Sequence, residues 1–335
     1  MQFCYTKKTR GLGALVLGAA GLMMGGISAP ALAEGQAQWP TKPVRLVVAL
    51  APGGLADVLT RAVSIPLAEA LKQPVVVENR PGAGGNVAGA EVARNGRDDH
   101  TFLIAPTTTE SVNPLIYKNM AFSFEKDLQP VALLANSKLF LLTKPGFEAK
   151  NLKEFIAHLK ANPKSFSFGS AGNGTTPHLA GELVNVGAGV AETHIPYRGA
   201  APAIQDVMAG QTDYAFGPVS FMPMVNAGKL KLLGVASRER SASYPDVPTF
   251  TEVGINNVFA DSMFGIYTSS STPANVVRAI NTEINRVLAR PEIAKQFAEY
   301  GAEAVPKTPE DFRDMVRAET QVFTPVVKSL SIKAD

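Results

Sequence analysis

Beyond residue 38 the chain alternates short apolar runs with longer amphipathic stretches. Residues 44–50 are apolar except for Arg45 and rich in β-branched side chains, so they read as a buried strand. The run stops at Ala51-Pro52-Gly53-Gly54, where proline lacks a ladder donor and glycine admits unusual backbone angles. Leu55, Val58, Leu59, Ala62 and Val63 then recur at helical spacing, with Asp57 in the first turn, where the helix dipole favours a carboxylate. Strand, glycine loop and helix together place backbone N–H groups beyond the carboxyl end of a strand, which makes an anion seat.

The same alternation continues downstream. Residues 74–78 form a second predicted strand, 79–86 a glycine-rich turn, 87–95 a helix and 101–105 a third strand ending at Pro106-Thr107-Thr108-Thr109. Pro66 is expected to kink or shorten the first helix. This β-α-β-α-β order predicts a parallel sheet with right-handed crossovers. A short helix over 110–118, broken at Pro114, precedes strands at 128–134 and 138–143 that leave this unit.

A second α/β unit follows. Its predicted elements are a helix at 151–159, a strand at 166–168 and a glycine loop at 169–176 leading into a helix at 177–186 capped by Thr176. Next come a strand at 193–197, a helix at 200–209, a strand at 214–216, a helix at 222–227 and a strand at 230–236. After a strand at 262–267, helices at 274–288, 291–300 and 309–327 close the chain. They need a sheet to cover and are expected to return to the first unit, so the polypeptide crosses between domains twice.

The amino terminus differs in character. Lys7, Lys8 and Arg10 precede an apolar stretch at 12–24, and Ala31-Leu32-Ala33 is an A-x-A cleavage site, so residues 1–33 read as a secretory signal peptide. That segment carries three of the 32 basic residues and none of the 29 acidic ones, so the remaining 302 residues balance at zero charge. Nothing there favours nucleic acid. The single cysteine, Cys4, lies within the signal, so the exported chain needs no disulfide. The expected product is a soluble exported monomer of two domains.

Chemistry is carried by loops. The turn at 82–85 has Val87 where G-x-G-x-x-G needs its last glycine, the loop at 172–174 has Pro177 there, and no G-x-x-x-x-G-K-[ST] occurs, which disfavours a nucleotide cofactor. Ser170, with His178 or His194 as base, is the basis of an exported α/β hydrolase alternative, although Phe168 replaces the first glycine of G-x-S-x-G. No H-E-x-x-H or cysteine set supports a metal. Arg198 follows a strand at the end where α/β ligands bind, and its guanidinium suits a carboxylate. Thr107, Thr108, Thr175 and Thr176 add hydroxyl donors at strand ends.

Several segments together carry a resemblance: VVALAPGGLADVLTR, VVVENRPGAGGNVAGAEVA, VNPLIY, FGSAGNGTTPHLAGEL, PYRGAAPAIQD, PDVPTFTE and STPANVVRAINTEINRVL. In this order they resemble the receptors of tripartite tricarboxylate transporters, the Bug-type periplasmic solute-binding proteins. The resemblance implies a type II periplasmic binding fold: two α/β lobes, each a mostly parallel sheet flanked by helices, joined by two crossovers. The implied first domain is 39–143 with 261–335, and the second is 144–260. It implies a carboxylate held between Pro52, Gly53, Gly54, Leu55, Ala56, Asp57 and the facing Ser170, Ala171, Gly172, Asn173, Gly174, Thr175, Thr176, with help from Thr107 and Thr108. Gly217 and Pro218 stand where many members have an acidic residue and an asparagine, which argues against an amino-acid ligand. Met263 or Phe264 stands where tryptophan is frequent, and with Phe221 and Met222 suggests an apolar distal pocket. The implied partners are a small organic acid and membrane transporter subunits; a periplasmic sensor subunit is a further alternative, since it would use the same closure.

Overall fold

Residues 39–95, 98–329 and 333 are described by a computed structural model; the export segment expected at 1–33 lies outside them. Strand β1 (Val44–Val48) leads through the first glycine loop into α1 (Leu55–Leu71), followed by β2 (Val75–Asn79), α2 (Asn86–Arg94) and β3 (Thr101–Pro106). Helix α1 runs through Pro66, because burial of Leu59, Val63 and Leu67 on either side of the proline holds it. The short helices α3 (Thr108–Ser111), α4 (Asn113–Ile116) and α5 (Phe124–Asp127) precede β4 (Leu128–Ser137) and β5 (Phe140–Thr143).

The second unit comprises α6 (Leu152–Ala161), β6 (Ser167–Ser170), α7 (Thr176–Ala188), β7 (Thr193–Pro196), α8 (Ala200–Ala209), β8 (Tyr214–Gly217), α9 (Met222–Asn226) and β9 (Lys231–Val235). Helix α6 starts where the Asn151 side chain accepts the Glu154 N–H, satisfying one of the orphan donors of its first turn. The chain returns through β10 (Ser262–Ser269) and ends in α10 (Ala274–Leu288), α11 (Pro291–Glu299) and α12 (Pro309–Ser329). Among the described residues no helix is long and apolar enough to cross a membrane.

Two five-stranded sheets result, in the orders β2-β1-β3-β10-β4 and β7-β6-β8-β5-β9. They are mixed, with four of the five strands in each running the same way. In each sheet the first three strands are parallel, and the fourth runs antiparallel to both its neighbours. The cause is topological. Strands β5 and β10 each arrive from the other lobe, enter at the carboxyl ends of the parallel strands, and so must run against them. The expected first segment, 39–143, therefore ends one strand too late, since β5 belongs to the second sheet. The two crossings fall between Ser137 and Phe140 and between Val235 and Ser262.

Each lobe has its own core. In the first, β1, β3, β4 and β10 are covered on one face by α1, α10 and α11, through Leu46, Leu59, Ile280, Ile284 and Phe297. The opposite face packs Val47, Leu103 and Met263 against α2 and the start of α12. The last helix was expected to cover the first unit alone. Instead Phe312 and Val316 join the first lobe's core, while Phe323, Val326 and Val327 join that of the second. Its apolar stripe is long enough to serve both lobes, so α12 straddles the crossings.

Candidate functional site

The carboxyl ends of β1, β3, β6, β7 and β8 all point toward the crossings, so the loops singled out in the sequence lie along the junction between the lobes. Contact across it is direct. A Cβ built on Gly174 would lie 2.6 Å from Ile116 Cδ1, and one on Gly301 would lie 2.0 Å from Val219 Cγ1. The loop before α7 thus rests on α4 of the first lobe, and the segment after β8 rests on the turn after α11.

In the first seat Gly53 has φ +78, which glycine adopts without a Cβ penalty. Asp57 is buried and organises the turn. Its Oδ2 accepts the Gly53 N–H at 2.9 Å and its Oδ1 accepts from Arg61 Nε at 3.0 Å. Arg61 also donates to Asn79 Oδ1, and Asn79 donates to the Leu50 carbonyl, which ties the loop to both neighbouring strands. Burial pushes the Asp57 carboxyl up, but the bonds from Arg61, the Gly53 amide and Asn79 outweigh it and hold the group below the usual carboxylate range. Asp57 is therefore an ionised brace. The Gly53 N–H is taken by that brace, so the groups left for a guest are the first-turn N–H groups of α1 at Leu55, Ala56 and Asp57, beside exposed Pro52 and half-buried Gly54.

The second seat is built the same way. Gly172 has φ +130 and Gly174 φ +73. The helix begins at Thr176 with Thr175 in the cap position, and neither threonine hydroxyl caps it: Thr175 Oγ1 donates to the Gly172 carbonyl at 2.7 Å. Asn173 is exposed, Ala171 half-buried and Thr176 buried. Ser170 is 1% exposed, and its Oγ lies 2.6 Å from His194 Nε2 and accepts the Gly172 N–H at 3.1 Å. The Gly174 N–H donates to His178 Nδ1 at 3.0 Å. The hydroxyl chemistry expected to meet a ligand is thus turned inward here, and so are the Gly172 and Gly174 amides.

The remaining predicted residues separate. Thr107 is buried and its hydroxyl donates to Glu319 Oε1 at 2.8 Å, while Ser111 donates to Oε2 at 2.7 Å. Thr108 opens α3 and is half-buried. Arg198 is exposed beyond β7, at the rim of the second lobe. Gly217 ends β8 opposite Phe140, and a Cβ there would point at Phe221 and Leu142 inside the lobe, with Pro218 turning the chain away. The expected distal pocket does not form as a unit: Phe264 and Met263 point to opposite faces of the first sheet, and Met222 with Phe221 packs in the second lobe.

Sequence reasoning passed over Glu319. The signal was present, since it sits with Phe312, Val316 and Phe323 on the apolar stripe of α12, where a carboxylate is out of place. Burial drives its pKa up to about 7; the Ser111 and Thr107 hydroxyls oppose that, and nearby Glu110 and Asp261 add to it. Glu319 borders a cavity of about 230 Å³ beside the crossings, with Arg238, Phe259, Asp261, Met263 and Phe323. Among the described residues one group, Asp98, Asp99 and His100, has metal-like spacing. His100 is committed there, accepting from the Thr41 N–H and pairing with Asp99.

Two α/β lobes joined by crossing strands, with glycine loops and helix N-termini at facing strand ends, define a periplasmic binding protein. A profile of the family described as tripartite tricarboxylate transporter family receptor matches residues 59–332. BugT of Bordetella pertussis is 31% identical over 313 residues, covering 92% of this chain and 94% of BugT. The R. palustris protein Rpa4515 with adipate is 29% identical, with a TM-score of 0.77 over 88% of this chain and 99% of that one. MatC from Rhodopseudomonas palustris with bound malate is 29% identical, with a TM-score of 0.73 over 86% and 100% of the two chains. The chain belongs to the tripartite tricarboxylate transporter receptor family. That family and these neighbours are substrate-binding receptors, not enzymes, so the Ser170–His194 pair is not a hydrolase dyad.

If Asp57 braces the first seat, its neutral isostere should loosen it. Asp57→Asn keeps an acceptor for the Gly53 N–H but loses the charge on Arg61. We expect binding of a carboxylate to weaken by about tenfold, the loss of roughly one charge-assisted hydrogen bond. Titration calorimetry of both proteins against the same acid checks this, and equal affinities would remove Asp57 from the seat.

Proposed function

We propose that residues 1–33 export this chain to the periplasm, where it works as a monomer. It captures an organic acid in the cleft between the loops at 52–57 and 170–176 and passes it to a tripartite tricarboxylate-type membrane transporter. The observation that carries this reading is the pair of glycine loops. Each is free of bulky side chains, each opens a helix of more than three turns, and the two sit on opposite lobes that touch through Gly174 and Ile116. A carboxylate bridging the two helix N-termini meets both lobes only when they are together, so ligand shifts the population toward the closed form.

The adipate and malate of the two neighbours are both dicarboxylates, which supports that class over an acid with one carboxylate and an aromatic body. The dispersal of Met263, Phe264, Phe221 and Met222 into separate cores supports it as well. A thermal-shift screen of adipate, malate, citrate, aspartate, terephthalate and benzoate tests the reading. At a ligand concentration about 100 times Kd, binding to the folded state alone stabilises by ~2.7 kcal/mol, a rise of several degrees. A dicarboxylate is expected to give that rise. No response to any acid, or an equal response to chloride, would overturn it.

A further inference from the structure

Two imidazoles lie face to face under the second seat. His178 on α7 and His194 on β7 have ring centroids 3.7 Å apart at 11°, and Phe168 flanks both. We propose that His178 and His194 are positioning residues for the loop at 170–176, each lending a ring nitrogen to one end of it so that its other amides stand ready for a carboxylate. This rests on the ligand reading above for the purpose of the loop, but the anchoring itself does not.

The hydrogen-bond direction decides the ring state of His178. The Gly174 N–H can only donate, so His178 Nδ1 is unprotonated and the neutral ring carries its proton on Nε2, which faces Glu182 Oε1 at 3.6 Å. At the other end Ser170 Oγ accepts the Gly172 N–H and lies 2.6 Å from His194 Nε2, with the Gly172 carbonyl 3.2 Å away as a second acceptor for its proton. The Gly172 carbonyl also accepts from Thr175 Oγ1 at 2.7 Å. In a loop of small residues with φ +130 at Gly172 and φ +73 at Gly174, these two ring nitrogens add to the Gly174–Ile116 contact in holding its shape.

A proton added to His178 Nδ1 would set donor against donor and release the Gly174 end of the loop, whereas Ser170 Oγ can accept from a protonated His194 and turn its own proton to the Gly172 carbonyl. Two cations 3.7 Å apart also repel. Burial and the neighbouring His178 push the His194 pKa down to about 4, with Glu182 acting the other way. The other titratable groups around the pair are Glu192 beyond the end of α7, and Asp213 and Tyr214 at β8; the Glu192 carboxylate is occupied by the Lys164 and Phe166 amides.

The test reads amide hydrogen-exchange protection at Gly172 and Gly174 in the ligand-free protein. His178→Leu and His194→Leu remove the acceptors, whereas His178→Asn and His194→Gln place an amide oxygen near the lost nitrogen. We expect each leucine variant to lose about tenfold protection at its own end of the loop, the worth of one hydrogen bond, with strand β3 unchanged. The asparagine and glutamine variants should stay near wild type. Should the leucine variants not fold, imidazole ¹⁵N spectra of the wild type answer the same question: His178 must be the Nε2–H tautomer at neutral pH. Unchanged protection in the leucine variants or the other tautomer at His178 would each overturn the proposal. No arm uses an organic acid, so failure of the ligand screen and failure of this anchoring are separate results.

Discussion

Replacing Glu319 with glutamine is expected to stabilise the protein by about 3 kcal/mol above neutral pH while leaving the balance below about pH 4.5 unchanged. The carboxylate is sealed between α12 and α3, its two oxygens accepting from hydroxyls, and among the described residues no cation pairs with it. Its folded pKa of about 7 lies above the ordinary value of 4.5. Below that ordinary value both states are protonated and contribute no slope. Between it and about 7 the native state holds a proton that the unfolded state has lost, so stability falls as pH rises, at about 1.4 kcal/mol per unit. Above about 7 the loss is complete. Glutamine cannot ionise and escapes it, so the difference between variant and wild type should climb across that window and then level. His194 has the opposite sign: held neutral down to about 4 in the fold, it makes stability rise with pH until the unfolded imidazole has lost its proton. The wild type therefore partly cancels its own slope, and Glu319→Gln should expose the histidine. Urea midpoints measured at half-unit steps of pH check this; parallel curves for the two proteins would show that Glu319 titrates normally.

A single added methyl at Gly181 should act in the opposite direction and destabilise the fold. A Cβ there would lie 2.1 Å from Phe168 Cε2, far inside van der Waals contact. Alanine gains up to about 1 kcal/mol in a helix interior over glycine, but overpacking of a filled core costs ~1–3 kcal/mol and wins if the ring cannot move. It cannot easily move: Phe168 is fully buried, 5.0 Å from the His194 ring and 5.5 Å from that of Tyr214. We expect Gly181→Ala to lower the melting temperature by several degrees. Phe168→Leu should recover much of that in the double variant, since contacting residues do not add independently. A double variant no more stable than the sum of the singles would mean that the methyl is accommodated elsewhere.

These two positions also show where reading the chain stops. Gly181 is one of many glycines in the sequence, and nothing local marks it as the one that lets a helix approach a phenylalanine ring. Glu319 is marked only as an anomaly in an apolar stripe. The glycine loops were legible because their signals are local: a β-branched run, proline and glycine at its end, and a helical period beyond. The hydroxyls of Thr107, Ser170 and Thr175 were equally visible, yet their direction was misread. Each found a partner inside its own lobe or on α12, and such partners leave no trace in neighbouring sequence.

By itself the sequence determined the order of strands and helices, the two α/β units, the glycine loops at their strand ends and the family. These rest on periods of two and 3.6 residues and on turn chemistry, all properties of a few adjacent residues. The tertiary structure decided that β5 and β10 run against their neighbours, that α12 serves both cores, and that two histidines stack beneath the second loop. It also decided that Thr107 meets Glu319, 212 positions away. The physical reason is the same in each case: strand direction follows from which end of a sheet the chain enters, and a buried polar group takes whichever partner the folded lobes bring to it.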